Sequence, residues 1–255
     1  LAGNHDSVAM LSESQAVLAS LSTRVITHVI PPSSVDKEQE NSVLNQQVFP
    51  LRDKTEQVSA IVCAIPFVRP RDVIKSRAGQ SASDKQQNLQ QAISDHYQNL
   101  YQHAQVLANN IEKDQGLAVP IIATGHLTAL GVSVSDSKSD SVRDIYIGSL
   151  EAFPASAFPP ADYIALGHIH RAQQVAKTEH IRYCGSPIAL SFDEAKQEKR
   201  VLLVEFTQGK LDQVTDVIVP CFQPLYMVKT SLDDLDSSLQ ETLVAFKNYQ
   251  DKQDN

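Results

Sequence analysis

Three short motifs in the sequence combine histidine or asparagine with a preceding glycine. They are Gly3-Asn4-His5-Asp6, Gly125-His126 and Gly167-His168-Ile169-His170. Imidazole nitrogens and an amide oxygen suit borderline divalent metals such as manganese, iron or zinc better than calcium. His168 and His170 are two residues apart, a spacing that places both rings on one face of an extended backbone. The residue types therefore indicate a metal site.

Each motif follows a short apolar run that is typical of a β-strand. The runs are residues 119–124, residues 162–166 and residues 1–2, the last of which resembles the final turn of a strand. Side chains at the carboxyl ends of strands in a layered α/β fold meet at one edge of the sheet. Glycine lets the backbone turn sharply at that edge. We therefore expect the three motifs to converge, although they are distant in sequence.

Histidine after a strand also has a structural interpretation. A single such histidine is more often a hydrogen-bonded structural residue than a ligand, and this alternative applies to His126 taken alone. The pair His168 and His170 favours the metal site, because two neutral imidazoles that point the same way usually share a partner. Four other histidines are predicted not to be ligands. They are His96 and His103 on a solvated helix face, and His28 and His180 without a partner in sequence.

The spacing of apolar residues predicts one long helix and several strands. The helix covers residues 84–113, with Ser83 as its cap and Gly116 as its stop. A shorter helix is expected from Ser12, and loops around one short strand are expected over residues 31–57. The predicted strands include residues 25–30, 58–67 and 181–183, an antiparallel pair at 201–206 and 211–219, and 225–229 before a second helix at 232–246. Serine-rich residues 133–141 predict a surface loop.

Composition and charge exclude several classes of protein. The 255 residues are 42% hydrophobic and carry 22 basic and 30 acidic side chains, which gives a net charge of −8. Such a surface repels phosphate on average, so a generic nucleic-acid coat is excluded. No apolar run reaches the roughly 18 residues that a membrane span requires. Three widely spaced cysteines favour a reducing cytoplasmic location over a disulfide framework.

The three motifs resemble the third, fourth and fifth motifs of the calcineurin-like metallophosphoesterases. Longer stretches resemble one family within that superfamily, the D subunits of SbcCD-type nucleases. They are Pro-Phe-Val-Arg-Pro-Arg-Asp at residues 66–72, Arg-Asp-Ile-Tyr-Ile-Gly at 143–148, and Tyr-Cys-Gly-Ser-Pro with Ser-Phe-Asp-Glu within 183–194. The resemblance extends from residue 1 to about residue 225.

The resemblance implies both an architecture and an activity. The implied fold is a four-layer α/β sandwich of two mixed sheets flanked by helices, with a nuclease domain at 1–224 and the start of a small α+β capping domain at 225–255. Two divalent ions, expected to be manganese, would be held in part by a set of four ligands. These ligands are Asn4, His126, His168 and His170. His5 would be the catalytic residue beside the scissile phosphate. The implied enzyme is an endonuclease and exonuclease that acts on DNA ends and hairpins. It would work with an SbcC-type ATPase partner in recombination and replication-associated repair.

The family pattern includes two further motifs, Asp-x-His and Gly-Asp-x-x-Asp, that would precede residue 1. They have no counterpart in this sequence, so we expect it to be truncated at the N-terminus. One of the missing carboxylates would bridge both metals. Without it two neighbouring cations repel strongly, and the site of this chain is expected to be weakened.

Binding of DNA requires positive charge, which arginines near predicted strand ends could supply. These are Arg69, Arg71 and Arg171. The acidic balance implies that a partner subunit, or a homodimer of this chain, provides much of the remaining contact. Two other functions stay open from the sequence. One is a binuclear metallophosphoesterase for a small phosphodiester or a phosphoprotein, and the other is a catalytically incomplete scaffold for the ATPase.

Overall fold

A mixed six-stranded β-sheet organises the chain. The computed structural model describes residues 1–30, 37–74, 79–129 and 152–253. The strands are β1 (Val48–Arg52), β2 (Val58–Cys63), β3 (Ile121–His126), β4 (Tyr163–Gly167), β5 (Gln173–Gln174) and β6 (Ile181–Tyr183). Their order in the sheet is β1-β2-β3-β4-β6-β5. The four inner strands are parallel, and both edge strands are antiparallel to their neighbours.

The predicted inner strands are present, with one change in length. The predicted strand over residues 58–67 ends at Cys63, because the hydroxyl of Thr124 replaces the backbone partners that would continue the ladder. The amide of Ile65 donates to Thr124 Oγ1 at 2.7 Å, and that hydroxyl lies 3.1 Å from the carbonyl of Ile65. The chain therefore leaves the sheet shortly before the segment that carries Arg69.

A helix of 34 residues, α5 (Ala82–Gln115), covers one face of the sheet. Its cap is Ser81, and the prediction of Ser83 is wrong, because Ser81 and Asp84 form a reciprocal capping box. Gly116 ends the helix in the left-handed conformation, as predicted. The buried face is formed by Leu89, Ile93, His96, Tyr97, Leu100 and Ala104. This list corrects the prediction for His96, which is only 2% exposed and lies against Gln47.

The described residues also form five other helices. They are α1 (Val8–Glu13), α2 (Gln15–Ala19), α3 (Lys37–Gln47), α4 (Pro70–Val73) and α6 (Leu235–Gln253). The one short strand predicted within residues 31–57 is present as β1, but helix α3 replaces part of the predicted loops. Helix α1 begins earlier than the predicted start at Ser12. The predicted strands at 25–30 and 225–229 are wrong. Within the described part of the chain, the backbone of residues 25–30 forms one backbone hydrogen bond to another segment, from the amide of Ala2 to the carbonyl of Ile26, and one bond does not make a strand ladder.

A separate antiparallel hairpin consists of β7 (Arg200–Thr207) and β8 (Lys210–Ile218), which confirms the predicted pair. Ion pairs between Arg182 and Asp216, and between Lys210 and Asp162, attach it to the first sheet. The molecule is therefore α/β with a mixed sheet, and the four-layer sandwich and the capping domain stay predictions.

The predicted loop at 133–141 and the stretch at 143–148 lie outside the described residues. No helix in the described ranges is long and apolar enough to span a membrane.

Candidate metal centre

Strands β3 and β4 bring two of the predicted ligands to the same sheet edge. Their parallel register pairs His126 with Gly167, the residue before His168. The rings of His126 and His168 lie 5.3 Å apart between centroids, in an edge-on arrangement. Phe67 also packs against the His126 ring, at 6.1 Å between centroids. The carboxyl ends of these strands thus hold two imidazoles side by side.

The N-terminal motif reaches the same edge through a tight turn. Ala2 is fixed on both sides, since its amide donates to Ile26 and its carbonyl accepts from the amide of Phe67 at 2.8 Å. The carboxylate of Asp6 then accepts the amide of Gly3 at 2.6 Å and folds the chain back. As a result, Asn4 Oδ1 lies 2.9 Å from His126 Nε2.

Close packing at Gly3 explains why this turn needs glycine. A Cβ atom at that position would lie 2.9 Å from Cε1 and 3.1 Å from Nε2 of His126. Real Cβ atoms do not approach a ring so closely, so any larger residue would displace either the imidazole or the turn. The glycine of the first motif therefore sets the distance between Asn4 and His126.

Burial keeps both imidazoles neutral near neutral pH. It lowers the pKa of His126 to about 4, and the charge of His168 adds to this shift, with smaller contributions from His5 and His170 against an opposing one from Asp6. Burial also lowers the pKa of His168, followed by the charges of His170 and His5. Metals bind the neutral form of histidine, so these two side chains are in the protonation state that a ligand requires.

The His168-Ile169-His170 segment differs from the expected extended strand. His168 has φ of +93°, a conformation uncommon for a residue with a side chain. The strand ends at Gly167, and the two histidines therefore do not lie on one face of a regular strand. Such strained residues persist where the surrounding structure fixes them, and they cluster at functional sites. The premise of a shared strand face is wrong, although both residues remain at the same edge.

His170 is bound by a carboxylate for which the sequence alone predicted no role. Its Nδ1 lies 2.8 Å from Glu194 Oε1, within hydrogen-bond distance. Burial alone would raise the pKa of Glu194, but hydrogen bonds from Lys199 and His170 outweigh this effect and lower the pKa to about 2. Glu194 belongs to the Ser-Phe-Asp-Glu stretch of the family resemblance, which was the one signal in the sequence. Its burial could not be read from the sequence.

The remaining predicted residues lie around this edge with different surroundings. His5 is exposed on the turn that follows Asn4. Arg69 reaches that turn, where its guanidinium donates to the carbonyl of Asp6 at 3.2 Å. Arg71 is 78% exposed and lies 3.8 Å from the carboxylate of Asp72. Arg171 is exposed and lines a cavity of about 280 Å³ next to His170.

The donors at this edge fit a divalent metal by their chemistry. Asn4 Oδ1 and His126 Nε2 face each other, and the neutral imidazole of His168 adjoins them. An amide oxygen with imidazole nitrogens suits manganese, iron or zinc. Within the described residues, however, no three His, Cys, Asp or Glu side chains are grouped closely enough to hold an ion. The set is thus a compatible part of a metal centre.

The chain is similar in sequence to subunits of known nucleases. No protein-family model matches the chain. It is 50% identical over 241 residues to the D subunit of the SbcCD nuclease of Escherichia coli K12, a match that covers 94% of the chain and 54% of the relative. It is 32% identical over 211 residues to the D subunit of the SbcCD nuclease of Rhodobacter capsulatus, covering 81% of the chain and 47% of the relative.

A third relative extends the same similarity to another organism. The D subunit of the SbcCD nuclease of Bacillus subtilis is 34% identical over 112 residues, which is 43% of the chain and 28% of the relative. The chain spans about half the length of the curated relatives from Escherichia coli and Rhodobacter capsulatus. These similarities, at 50% identity over 94% of the chain and 32% identity over 81%, show that the chain belongs to the SbcD family, the D subunits of SbcCD nucleases.

Proposed function

We propose that the protein cleaves DNA as the metal-dependent nuclease subunit of an SbcCD-type complex. The reaction would be hydrolysis of phosphodiester bonds at DNA ends and hairpins, by endonuclease and exonuclease action in recombination and replication-associated repair. The observation that carries the proposal is the convergence of Asn4, His126 and His168 at one sheet edge in a chain with 50% identity to a nuclease subunit. The relative from Rhodobacter capsulatus has the same subunit name and supports the same reaction.

The ligand roles follow from the donor atoms at this edge. Asn4, His126 and His168 would bind one divalent ion, and His170 would bind a second. Manganese is the proposed metal, and the ions would polarise the phosphate and lower the pKa of a bound water. The protein positions and prepares these ligands: the turn closed by Asp6 fixes Asn4, and burial keeps the imidazoles of His126 and His168 neutral.

His5 is the proposed acid beside the scissile phosphate. It is exposed on the turn after Asn4, so a DNA strand can reach it without a rearrangement of the core. A positioned imidazole can donate a proton to the leaving oxygen or stabilise its charge, which typically contributes a factor of about 10² to 10⁴ in rate. Asp6 is already occupied by the amide of Gly3, and its role is to shape the turn that presents His5.

Positive charge for the DNA backbone would come from several sources. Arg69, Arg71 and Arg171 lie near the edge and are proposed to contact phosphates. Because the net charge is −8, we propose that an SbcC-type ATPase and a second copy of the subunit supply further contacts. We also propose a cytoplasmic location, a nuclease domain over residues 1–224 and a capping domain that begins at residue 225.

Cleavage of a labelled DNA hairpin tests the proposal. The complete gene that encodes this sequence would be expressed with its ATPase partner and assayed with and without Mn²⁺. We expect Mn²⁺-dependent cleavage, which falls by about 10² or more in His5→Gln. His103→Gln is the matched control, because His103 lies on helix α5 and bonds to Asn45 away from this edge. Cleavage that is independent of the metal, or equal in both variants, would contradict the proposal.

A further inference from the structure

A buried carboxylate lies directly behind His170. Glu194 belongs to a short 3₁₀ turn, Phe192–Glu194, and is only 5% exposed. Its Oε1 lies 2.8 Å from His170 Nδ1, within hydrogen-bond distance. A charged side chain is seldom buried unless it is paired and hydrogen-bonded, so this placement requires partners.

The second oxygen of Glu194 has three donors. Lys199 Nζ lies 2.6 Å from Oε2, Ser186 Oγ donates to it at 3.1 Å, and the amide of Leu190 at 3.3 Å. Each donor comes from a different part of the loop that follows β6. The carboxylate is therefore held from several directions, and its Oε1 has little freedom to leave the imidazole.

The same lysine also fixes the backbone of the histidine. Lys199 Nζ lies 3.4 Å from the carbonyl oxygen of His170 and 2.9 Å from Ser186 Oγ. The amide of Ser186 donates to that carbonyl at 3.1 Å. Side chain and backbone of His170 are thus bound to one network, which fixes both the position of the residue and the rotation of its ring.

Stability alone is a weak explanation for this network. A buried ion pair loses so much hydration that apolar residues of the same volume are often as stable or more stable. A carboxylate on one imidazole nitrogen has a separate effect, because it determines which nitrogen carries the proton. Ligand histidines commonly donate their second N–H in this way, which orients the ring and leaves the other nitrogen free.

We propose that Glu194, held by Lys199 and Ser186, is a positioning residue that keeps His170 in the Nδ1-protonated form and directs its free Nε2 to the metal centre. The effect on metal binding rests on the proposed function, whereas the effect on the proton of His170 does not. Glu194 acts through His170 and does not itself contact substrate.

The position of the proton can be measured without metal. The complete protein would be labelled with ¹⁵N at histidine, freed of metal, and studied by NMR at alkaline pH, where an ordinary imidazole is neutral. His170→Gln identifies the signal. We expect the wild-type signal of His170 to show a proton on Nδ1, and Glu194→Ala to give a mixture of both neutral forms. Glu194→Gln, which retains an acceptor oxygen, should lie between them. A proton on Nε2 in the wild type would overturn the proposal, whether or not the variants fold.

Metal affinity provides the second measurement. We expect Mn²⁺ to bind Glu194→Ala about 10- to 100-fold more weakly than the wild type. Glu198→Gln is the matched control, because Glu198 is 61% exposed and pairs with Arg200. Unchanged affinity in Glu194→Ala, or an equal loss in the control, would count against the positioning role. Absence of Mn²⁺ binding by the wild type would contradict the proposed function, and the NMR result would still decide whether Glu194 positions His170.

Discussion

Two buried or half-buried histidines lie in contrasting regions of the molecule. His96 is on the inner face of α5 and is 2% exposed, with Nε2 3.2 Å from Gln47 Oε1. His126 is at the carboxyl edge of the sheet, with Nε2 2.9 Å from Asn4 Oδ1. Burial lowers the pKa of each of them to about 4. Their protonation states are the same, and their surroundings are not.

The difference lies in what the second nitrogen and the neighbours can do. His96 Nδ1 is buried and has no hydrogen-bond partner in the described part of the chain. His126 lies against another imidazole, His168, at an edge that remains half-exposed. A neutral histidine is therefore not enough to indicate a ligand. Convergence of donors from separate strands at an accessible edge distinguishes the candidate site from the core.

The largest expected effect comes from a variant at the contact between helix α5 and the carboxyl edge of the sheet, where Gly125 packs against Tyr97. A Cβ atom in Gly125→Ala would overlap Tyr97 Oη on α5 and lie 2.9 Å from Cδ2 of Leu166. Tyr97 is 1% exposed and donates to the carbonyl of Thr124 at 3.0 Å, so it cannot move aside. We expect a loss of about 3 kcal/mol or more in unfolding free energy, measured with urea.

A second glycine provides the comparison for that variant. In Gly167→Ala the new Cβ would lie 3.0 Å from His126 Nδ1, a ring edge that can shift by a few tenths of an ångström. We expect a smaller loss of stability than in Gly125→Ala. Equal stability of Gly125→Ala and the wild type would show that helix and sheet edge are not rigidly joined at this point.

Acidification should destabilise the core through His96. Its pKa is about 4 in the folded protein and about 6.5 in the unfolded chain, so the unfolded chain binds the proton first as the pH falls. Stability is lost progressively between pH 6.5 and pH 4, by up to about 3 kcal/mol. Urea unfolding at several pH values should show a shallower acid dependence in His96→Gln. An identical dependence in both proteins would mean that His96 is not the buried neutral group.

The smallest expected effect concerns the turn that carries His5. Arg69 donates to the carbonyls of Asp6 and Thr27, at 3.2 and 3.5 Å. Lysine has a single nitrogen and cannot reproduce this fork, so Arg69→Lys should lower the unfolding free energy by about 1 kcal/mol. Arg71→Lys is the control, since Arg71 is 78% exposed, and thermal unfolding should not change. Equal behaviour of the two variants would indicate that Arg69 does not hold the turn.

Much of the sheet and the long helix could be predicted from local patterns. Apolar residues spaced by three and four indicated α5, and short apolar runs before glycine indicated β3 and β4. The same spacing places His96 on the buried face of α5, because His96 lies three residues after Ile93 and next to Tyr97. The expectation of a solvated face rested on the seven-residue spacing of His96 and His103, but His96 packs inward against Gln47.

Other features have no local signal. Helix α3 lies in a polar stretch and is stabilised by the burial of Val43 and Leu44 on one face. Such a helix depends on tertiary packing more than on intrinsic propensity. The role of Glu194 likewise depends on Lys199, which reaches it only in the folded chain. Contacts formed by folding, and not residue types alone, determine these parts of the molecule.

The left-handed backbone conformation of His168 is unfavourable for a residue with a side chain, so keeping a histidine at this position costs conformational stability. With φ of +93°, the position would suit glycine, which adopts such angles without steric cost. Replacement by glycine would relieve the backbone and remove the imidazole in the same step. Selection for stability alone would therefore eliminate this histidine, and its presence is consistent with a demand on the side chain that outweighs the conformational penalty.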